Sequence, residues 1–342
     1  MRIFWPSILL SFCLSLSSAA AFSQSPETRP KREHFQNADI LYSWVHDNRS
    51  DRLRIIITKP KNASGKVPVV FFVGWLSCDS TEYPDGETDG FGAIFYRLIE
   101  QSGYATIRMD KPGVGESQGD CSKTDFTTEL SGYQAAFDDL VNYDFMDLNR
   151  VFVVGLSNGG GTSALVPRGR PVRGYIAASS WGRTWYEHML EIERVRLRNA
   201  GKSPGQINDA LRIFSQFYDL YLNRGLTPGA VLAQHPDWKS VWYDAADGQY
   251  GRPAAFYQQL QALNLGAAWE QVNVPVLVMR GTADQIMSDA DARALAATVN
   301  HAHPGLAEYV EINGADHLLS VNGRLADDVI STMIRWLRER AK

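Results

Sequence analysis

The sequence lacks a strong excess of either charge. Its 342 residues include 34 Lys and Arg against 38 Asp and Glu, a formal net charge of −4. No basic block and no acidic tail stands out, which argues against nucleic acid as the main partner. Apolar residues make up 44% of the chain, so it can bury the core of one large domain or of two modest ones.

Long apolar runs are missing beyond the N-terminus. A single run extends from Ile3 to about Leu16, preceded by the charge of Arg2 and followed by the small residues of SSAAAFSQ. This pattern predicts a signal peptide over residues 1–23 and export to the periplasm or the outside of the cell. The run is shorter than the roughly 20 residues of a spanning helix, so we expect no membrane span in the mature chain. An uncleaved anchor is the alternative.

Cysteines and metal-ligand clusters are also scarce. Of three cysteines, Cys13 lies in the predicted signal peptide, which leaves Cys78 and Cys121 in the mature chain. An even pair in an exported protein is a disulfide candidate, with two separate buried thiols as the alternative. The histidines lack carboxylate or thiolate neighbours at ligand spacing, and no G-x-x-x-x-G-K phosphate loop occurs. The sequence therefore predicts neither a metal site nor a cofactor.

What the chain does contain is an alternation of strand and helix patterns. Apolar runs rich in β-branched residues predict strands, and apolar residues spaced three or four apart predict helices. The predicted strands lie at 52–60, 67–74, 104–110, 151–155, 172–179, 274–281 and 308–312, and the helices at 90–103, 125–143, 289–299 and about 324–340. Such alternation predicts an α/β fold with a doubly wound, mostly parallel sheet.

One region interrupts this alternation. Residues 181–272 contain helical stretches but no clear strand, and we interpret them as a helical cap inserted between late strands. A separate helical domain is the alternative. The predicted layout is a signal peptide at 1–23, a leader and first strand at 24–50, core at 51–180, the cap at 181–272 and the rest of the core at 273–342.

A candidate nucleophile lies where the strand VFVV passes into small residues. Gly155-Leu156-Ser157-Asn158-Gly159 has the pattern G-x-S-x-G, which is typical of a nucleophile elbow between a strand and a helix. The flanking glycines fit so tight a turn, because a Cβ there would collide with the neighbouring strand or helix. The pattern predicts Ser157 as the nucleophile; a plain strand–helix turn is the alternative.

A serine hydroxyl needs a base, and the base needs an orienting acid. Among seven histidines, His317 lies on a loop that leaves the last predicted strand and can reach back over the sheet. Asp284 follows a predicted strand, whereas Asp316 adjoins His317 too closely to turn back onto its ring, and Asp110 lies upstream of the serine. The sequence therefore predicts a catalytic triad of Ser157, Asp284 and His317.

These residues resemble those of the α/β-hydrolase superfamily, of the serine esterase and peptidase type with a helical cap. DKPGVGES at Asp110–Ser117 resembles the family's D-x-x-G-x-G-x-S turn, and GADH at Gly314–His317 resembles its G-x-x-H motif. The likeness extends from about Arg52 to the C-terminus. It implies an α/β-hydrolase fold and a cofactor-independent serine hydrolase that cleaves carboxylic esters through an acyl-enzyme. A peptidase that removes N-terminal residues is the alternative, and a non-catalytic binding protein is a third hypothesis.

The resemblance also implies an oxyanion hole. Its donors would be the backbone N–H groups of Trp75 and Asn158, or Leu76 in place of Trp75 if the loop differs by one residue. Many relatives carry His-Gly after strand three, where this chain has Val73-Gly74. Because the donors belong to the backbone, losing that histidine need not disable the site.

The cap aromatics supply a candidate substrate pocket. Trp181 and Trp185, together with Leu76, are predicted to line an apolar pocket for a small-molecule ester. A peptidase would need a cap carboxylate to bind the substrate's free amine, and Glu191 and Glu193 are the candidates.

Overall fold

The computed structural model of the chain describes residues 32–86 and 90–342, so the predicted signal peptide lies outside the described residues. The strands are β1 (Ala38–His46), β2 (Arg52–Pro60), β3 (Val67–Val73), β4 (Ala105–Met109), β5 (Met146–Leu156), β6 (Gly174–Ala178), β7 (Gly248–Gln249), β8 (Arg252–Pro253), β9 (Val276–Gly281), β10 (Ala307–Ile312), β11 (Ser320–Val321) and β12 (Arg324–Leu325). The helices are α1 (Phe91–Ser102), α2 (Phe126–Asp138), α3 (Asn158–Thr162), α4 (Trp185–Asn199), α5 (Pro204–Tyr218), α6 (Pro228–Gln234), α7 (Ala254–Gln261), α8 (Leu265–Glu270), α9 (Asp289–Ala302) and α10 (Asp327–Arg340). No helix in this described range is long and apolar enough to cross a membrane.

Eight strands form one sheet in the order β1-β2-β4-β3-β5-β6-β9-β10. β2 pairs antiparallel with β1 and with β4, and the other neighbours pair in parallel. This arrangement confirms the predicted mostly parallel sheet. The parallel register sets Val73 opposite Gly155, and Leu156 opposite Ala178. The loops that leave β3, β5 and β6 therefore start at the same edge of the sheet.

The central strands are buried on both faces, as their continuous apolar runs indicate. In β3, Val69, Phe71 and Val73 belong to the core under α2 and α9. Val70 and Phe72 belong to the opposite core, under α1 and α10. Because successive strand residues point to opposite faces, one run of seven residues serves both cores.

Between β6 and β9 the chain forms the helices α4 to α8 around a third, aromatic-rich core. α5 starts with a capping box: the Ser203 hydroxyl accepts from the Gln206 N–H, and Pro204 occupies the first turn. The region also contains the short antiparallel hairpin of β7 and β8, which the sequence analysis missed. Strands of two residues are too short to produce a periodic pattern.

The C-terminal helix begins later than predicted. The expected start was about residue 324, but Arg324 and Leu325 form β12, which pairs with β11, and α10 begins at Asp327. The short hairpin of β11 and β12 follows directly on the loop that carries His317. Tertiary pairing here overrides the local helical spacing.

Candidate active site

Ser157 lies in the turn between β5 and α3. Its backbone angles, φ 55° and ψ −122°, are ones that residues with a Cβ rarely adopt. Two backbone hydrogen bonds hold this strained conformation: the Ser157 N–H donates to the Ala178 carbonyl at 2.9 Å, and its own carbonyl accepts from the Gly160 N–H at 3.0 Å. Strain held in this way is a common mark of functional sites, and here it fixes the serine at the sheet edge.

The glycines around Ser157 allow neighbouring backbones to approach closely. A Cβ on Gly155 would lie 2.5 Å from the Gly159 carbonyl oxygen, and one on Gly159 would lie 2.3 Å from that of Gly74. Later in α3, a Cβ on Gly161 would lie 2.6 Å from the indole nitrogen of Trp181. The glycine-rich stretch therefore packs the start of α3 between the loop after β3 and the segment after β6.

His317 joins Ser157 to Asp284. Its Nε2 lies 3.0 Å from the Ser157 Oγ, and its Nδ1 lies 2.9 Å from the Asp284 Oδ2. The other carboxylate oxygen of Asp284 accepts from the N–H groups of Ile286 and Met287 at 2.8 and 2.9 Å, which aims Oδ2 at the ring. The imidazole can thus donate from Nδ1 to the carboxylate while Nε2 accepts the serine proton.

The loop after β10 is shaped to present His317. Asp316 does not orient the imidazole; its Oδ1 accepts from the N–H groups of Leu318 and Ser320, each at 2.9 Å. Leu319 has a φ of 57° and is fully buried beneath the turn. The carboxylate next to the histidine therefore bends the loop and leaves the orienting role to Asp284.

Asp110 stabilises the turn after β4. It is fully buried, accepts from the Arg54 Nε at 2.8 Å, and accepts from the Thr81 N–H at 3.0 Å. A Cβ on Gly115 would lie 2.5 Å from its carboxylate, and the Ser117 hydroxyl donates to its carbonyl at 3.0 Å. The aspartate, glycine and serine of the DKPGVGES motif therefore stabilise this turn.

A disulfide between Cys78 and Cys121 joins the loop after β3 to the segment after β4, with 6.0 Å between the Cα atoms. Arg252, on the β7–β8 hairpin, donates to the Cys121 carbonyl at 3.1 Å and forms a buried ion pair with Glu129. The predicted oxyanion residue Trp75 lies on the same loop, three positions before Cys78. The bridge and the arginine therefore tie that loop to both the core and the hairpin.

A cavity of about 590 Å³ opens above Ser157 and His317. Trp75 and Asn158, the predicted oxyanion residues, line it, as do Leu76 and Trp185 of the predicted substrate pocket. Trp181 does not: it is fully buried and packs edge-on against Trp185, with the ring centroids 5.2 Å apart. Its crowding against α3 explains why it is withdrawn from the cavity. Much of the remaining wall is apolar, including Phe91, Ile192, Ile286, Met287 and Leu318.

The two cap carboxylates considered for binding an amine are not among the residues that line this cavity. Glu193 is buried, accepts from the Arg196 Nε at 2.7 Å and from the Tyr243 hydroxyl at 2.5 Å. Glu191 faces Arg194, with 3.7 Å between their charged groups. Both carboxylates are thus paired within the cap, and neither lines the cavity.

Besides Ile192, the sequence analysis missed two cap residues in the cavity wall. His188 is buried, and its Nδ1 lies 3.1 Å from the Asp291 Oδ2. Burial opposes the charged form of Asp291, but its bonds to His188 and Arg183 prevail and hold its pKa well below the ordinary value. Tyr250, at the tip of the β7–β8 hairpin, is the second residue. A usable signal existed for His188, which follows Trp185 by three residues and so shares its helix face.

The sequence profile of the alpha/beta hydrolase family matches residues 69–329, so the chain belongs to this family. No curated protein matches the chain significantly. The profile spans β3 to the start of α10 and therefore includes Ser157, Asp284 and His317.

Solved esterase structures share the fold. The ferulic acid complex of Est1E from Butyrivibrio proteoclasticus is 17% identical, with 87% of this chain and 96% of that chain covered and a TM-score of 0.55. An esterase from Pyrococcus furiosus is 12% identical, with coverages of 89% and 92% and a TM-score of 0.55. The esterase domain of a Rhodothermus marinus protein is 18% identical, with coverages of 89% and 100% and a TM-score of 0.53. At these identities the likeness establishes the common fold.

Proposed function

We propose that this protein is an exported serine esterase that cleaves carboxylic esters with Ser157, His317 and Asp284. The observation that carries the proposal is the pair of hydrogen bonds through His317, 3.0 Å to Ser157 and 2.9 Å to Asp284, at the floor of the cavity. Membership of the alpha/beta hydrolase family and the esterase structures of the same fold support it.

The reaction follows from this geometry. The Ser157 Oγ attacks the ester carbonyl carbon while His317 Nε2 takes the hydroxyl proton, and Asp284 stabilises the resulting imidazolium. The N–H groups of Trp75 and Asn158 would bind the oxyanion of the tetrahedral intermediate. The intermediate collapses, the alcohol leaves with the proton from His317, and an acyl-enzyme remains. Water, deprotonated by His317, then attacks the acyl carbonyl and releases the carboxylic acid.

The cavity supports small to medium esters with an apolar acyl or aryl part. Its volume of about 590 Å³ lies in the range of small-molecule sites, and aromatic and aliphatic side chains form much of its wall. Ferulic acid, an aromatic carboxylic acid, is bound in the Est1E structure of the same fold. Aryl-acyl esters therefore belong in the substrate panel beside short alkyl esters.

The test is hydrolysis of p-nitrophenyl acetate, butyrate and cinnamate by the wild-type protein and by Ser157→Ala. We expect turnover and fluorophosphonate labelling of the wild type, and loss of both in the variant by a factor of about 10⁴ or more. Aminoacyl-p-nitroanilides test the peptidase alternative, and faster cleavage of these would overturn the esterase proposal. Folded wild-type protein that neither labels nor hydrolyses any of them would favour a binding protein.

The proposed export rests on the N-terminal pattern of residues 1–23, and the disulfide between Cys78 and Cys121 supports it. Disulfides persist in oxidising compartments and are rare in the cytosol. Cell fractionation and N-terminal sequencing test the proposal: we expect the mature protein outside the cytoplasm, starting near residue 24. Full-length protein recovered from the cytoplasm of the native host would contradict export.

A further inference from the structure

The backbone on either side of the proposed oxyanion donor Trp75 is held by buried side chains. On one side, the Gly74 N–H donates to the Tyr133 hydroxyl at 3.1 Å. On the other, the Trp75 carbonyl accepts from the Lys111 ammonium, which also donates to the Ser77 carbonyl at 3.0 Å. The peptide unit that carries the Trp75 N–H therefore lies between two peptide units of fixed orientation.

Lys111 is an unusual residue for this position. It follows Asp110 at the end of β4 and is only 4% exposed, although burying an ammonium group is costly. Its three N–H groups face three acceptors: the carbonyls of Trp75 and Ser77, and the Glu129 Oε1 at 3.5 Å. Two of the three acceptors belong to the loop after β3, so the contacts of the buried charge are mostly with that loop.

Lys111 shares its carboxylate partner with a second cation. Its carboxylate partner, Glu129, also forms the buried ion pair with Arg252. Two cations therefore share one buried carboxylate, and Asp79, whose Oδ2 accepts from the Trp75 indole at 3.1 Å, is the next acidic group. The buried Lys111 ammonium therefore lies directly behind the loop that carries the Trp75 N–H.

We propose that Lys111 is a positioning residue for the oxyanion hole. Its ammonium fixes the carbonyls of Trp75 and Ser77, which keeps the Trp75 N–H directed toward the reacting carbonyl, and its positive charge favours the developing oxyanion. This role rests on the proposed esterase function, since it acts on the oxyanion of ester hydrolysis. It also gives a function to the second residue of the DKPGVGES motif, whose aspartate, glycine and serine stabilise the turn.

This role of Lys111 predicts that kcat depends on pH. Burial lowers the pKa of Lys111 to about 8, with Arg252 adding to the effect and with Glu129 and Asp79 opposing it. Below this pKa the side chain is an ammonium; above it, a neutral amine with two N–H donors and no charge. Catalysis should therefore fall as the pH rises through about 8, and the fall should be in kcat, because the oxyanion exists only during the reaction.

The experiment compares kcat and KM of the wild type and Lys111→Met for p-nitrophenyl butyrate between pH 6 and 10. At pH 7 we expect kcat to drop about tenfold or more, with KM within twofold, because a lost oxyanion contact weakens the transition state selectively. The fall in kcat near pH 8 should disappear in the variant. Lys111→Arg, which stays charged throughout, should keep more of kcat than Lys111→Met and also lose this fall.

Arg108→Met is the matched control: Arg108, in β4, is a buried cation that pairs with Glu33 and donates to the Thr81 carbonyl, beyond the part of the loop that carries Trp75 and Ser77. It should lower stability and keep the alkaline fall. A Lys111→Met protein with unchanged kcat and an unchanged alkaline fall would overturn the proposal. If that variant does not fold, a wild-type kcat that stays level from pH 7 to 9 overturns it. Failure of the esterase function itself would show as wild-type protein without Ser157-dependent turnover.

Discussion

The sheet edge and the cap build this site in different ways. At the sheet edge, Ser157, Asp284 and His317 follow the ends of β5, β9 and β10, and backbone hydrogen bonds hold each turn. The cap contributes His188 through the packing of its side chain, and Tyr250 through a hairpin of two-residue strands. The register of the strands therefore places the three proposed catalytic residues. Packing across the cap interface determines the shape of the cavity.

The largest expected effect tests the sheet edge. Asp284→Asn should keep the carbonyl oxygen on the N–H groups of Ile286 and Met287, which turns the amide NH₂ toward His317 Nδ1. The imidazole must then carry its proton on Nε2, where it can no longer accept the serine proton. We expect kcat to fall about 10⁴-fold with little change in KM or in the melting temperature.

The measurement is the kcat for p-nitrophenyl butyrate, with circular dichroism to show that the variant is folded. A change in the cap wall provides the contrast: Ile192→Ala should alter KM far more than kcat. If Asp284→Asn retained more than a tenth of kcat, the His317–Asp284 contact would not be the orienting one.

A second prediction compares one glycine from each region. A Cβ on Gly155 would meet the backbone of Gly159 at 2.5 Å, whereas the nearest atom to a Cβ on Gly205, in α5, is 4.0 Å away. Gly155→Ala should lower the free energy of unfolding by about 1–3 kcal/mol through overpacking. Gly205→Ala should leave it unchanged or raise it by about 0.5 kcal/mol, because Ala favours helix. Urea unfolding measures both, and equal losses would contradict the comparison.

The same contrast explains what the sequence could predict. The sequence predicted Ser157, Asp284 and His317 as one group because each lies in the loop or turn after a recognisable strand, and parallel strands end at one edge of the sheet. Trp181 and Trp185 looked equivalent as aromatics after β6, but α3 packs against the first and leaves the second on the cavity wall. Which of the two rings lines the cavity depends on how α3 packs against the segment after β6, and a local sequence pattern does not show this packing.

The roles of Lys111 and Tyr250 were out of reach for a similar reason. Lys111 contacts carbonyls more than 30 positions earlier in the chain. Every residue has a main-chain carbonyl, so the sequence does not show which of them accepts a hydrogen bond. Tyr250 belongs to a hairpin of two-residue strands held by Arg252, whose partner Glu129 lies in α2. Long-range contacts with the backbone and with distant charges thus account for what the sequence left undetermined.

The smallest expected effect concerns the cap hairpin. Tyr250 and Gly251 connect β7 and β8 with φ values of 47° and 73°, a turn in which Asn-Gly is favoured and a bulky residue is strained. The Tyr250 ring lines the cavity at its exposed rim, with Ile286 and Leu318. The strain suggests that the hairpin holds this ring for contact with the substrate.

Tyr250→Asn and Tyr250→Ala separate the ring from the strain. Both remove the ring, so both should raise KM for p-nitrophenyl cinnamate by about threefold to tenfold and change KM for the acetate little. Asn tolerates the left-handed backbone and Ala does not, so the Asn variant should be the more stable by about 1 kcal/mol in urea unfolding. Equal stabilities would mean that the turn relaxes in the variants. An unchanged KM for the cinnamate would mean that the cap's contribution to specificity lies deeper, at Trp185 and His188, and that the strained turn serves only the packing of the hairpin.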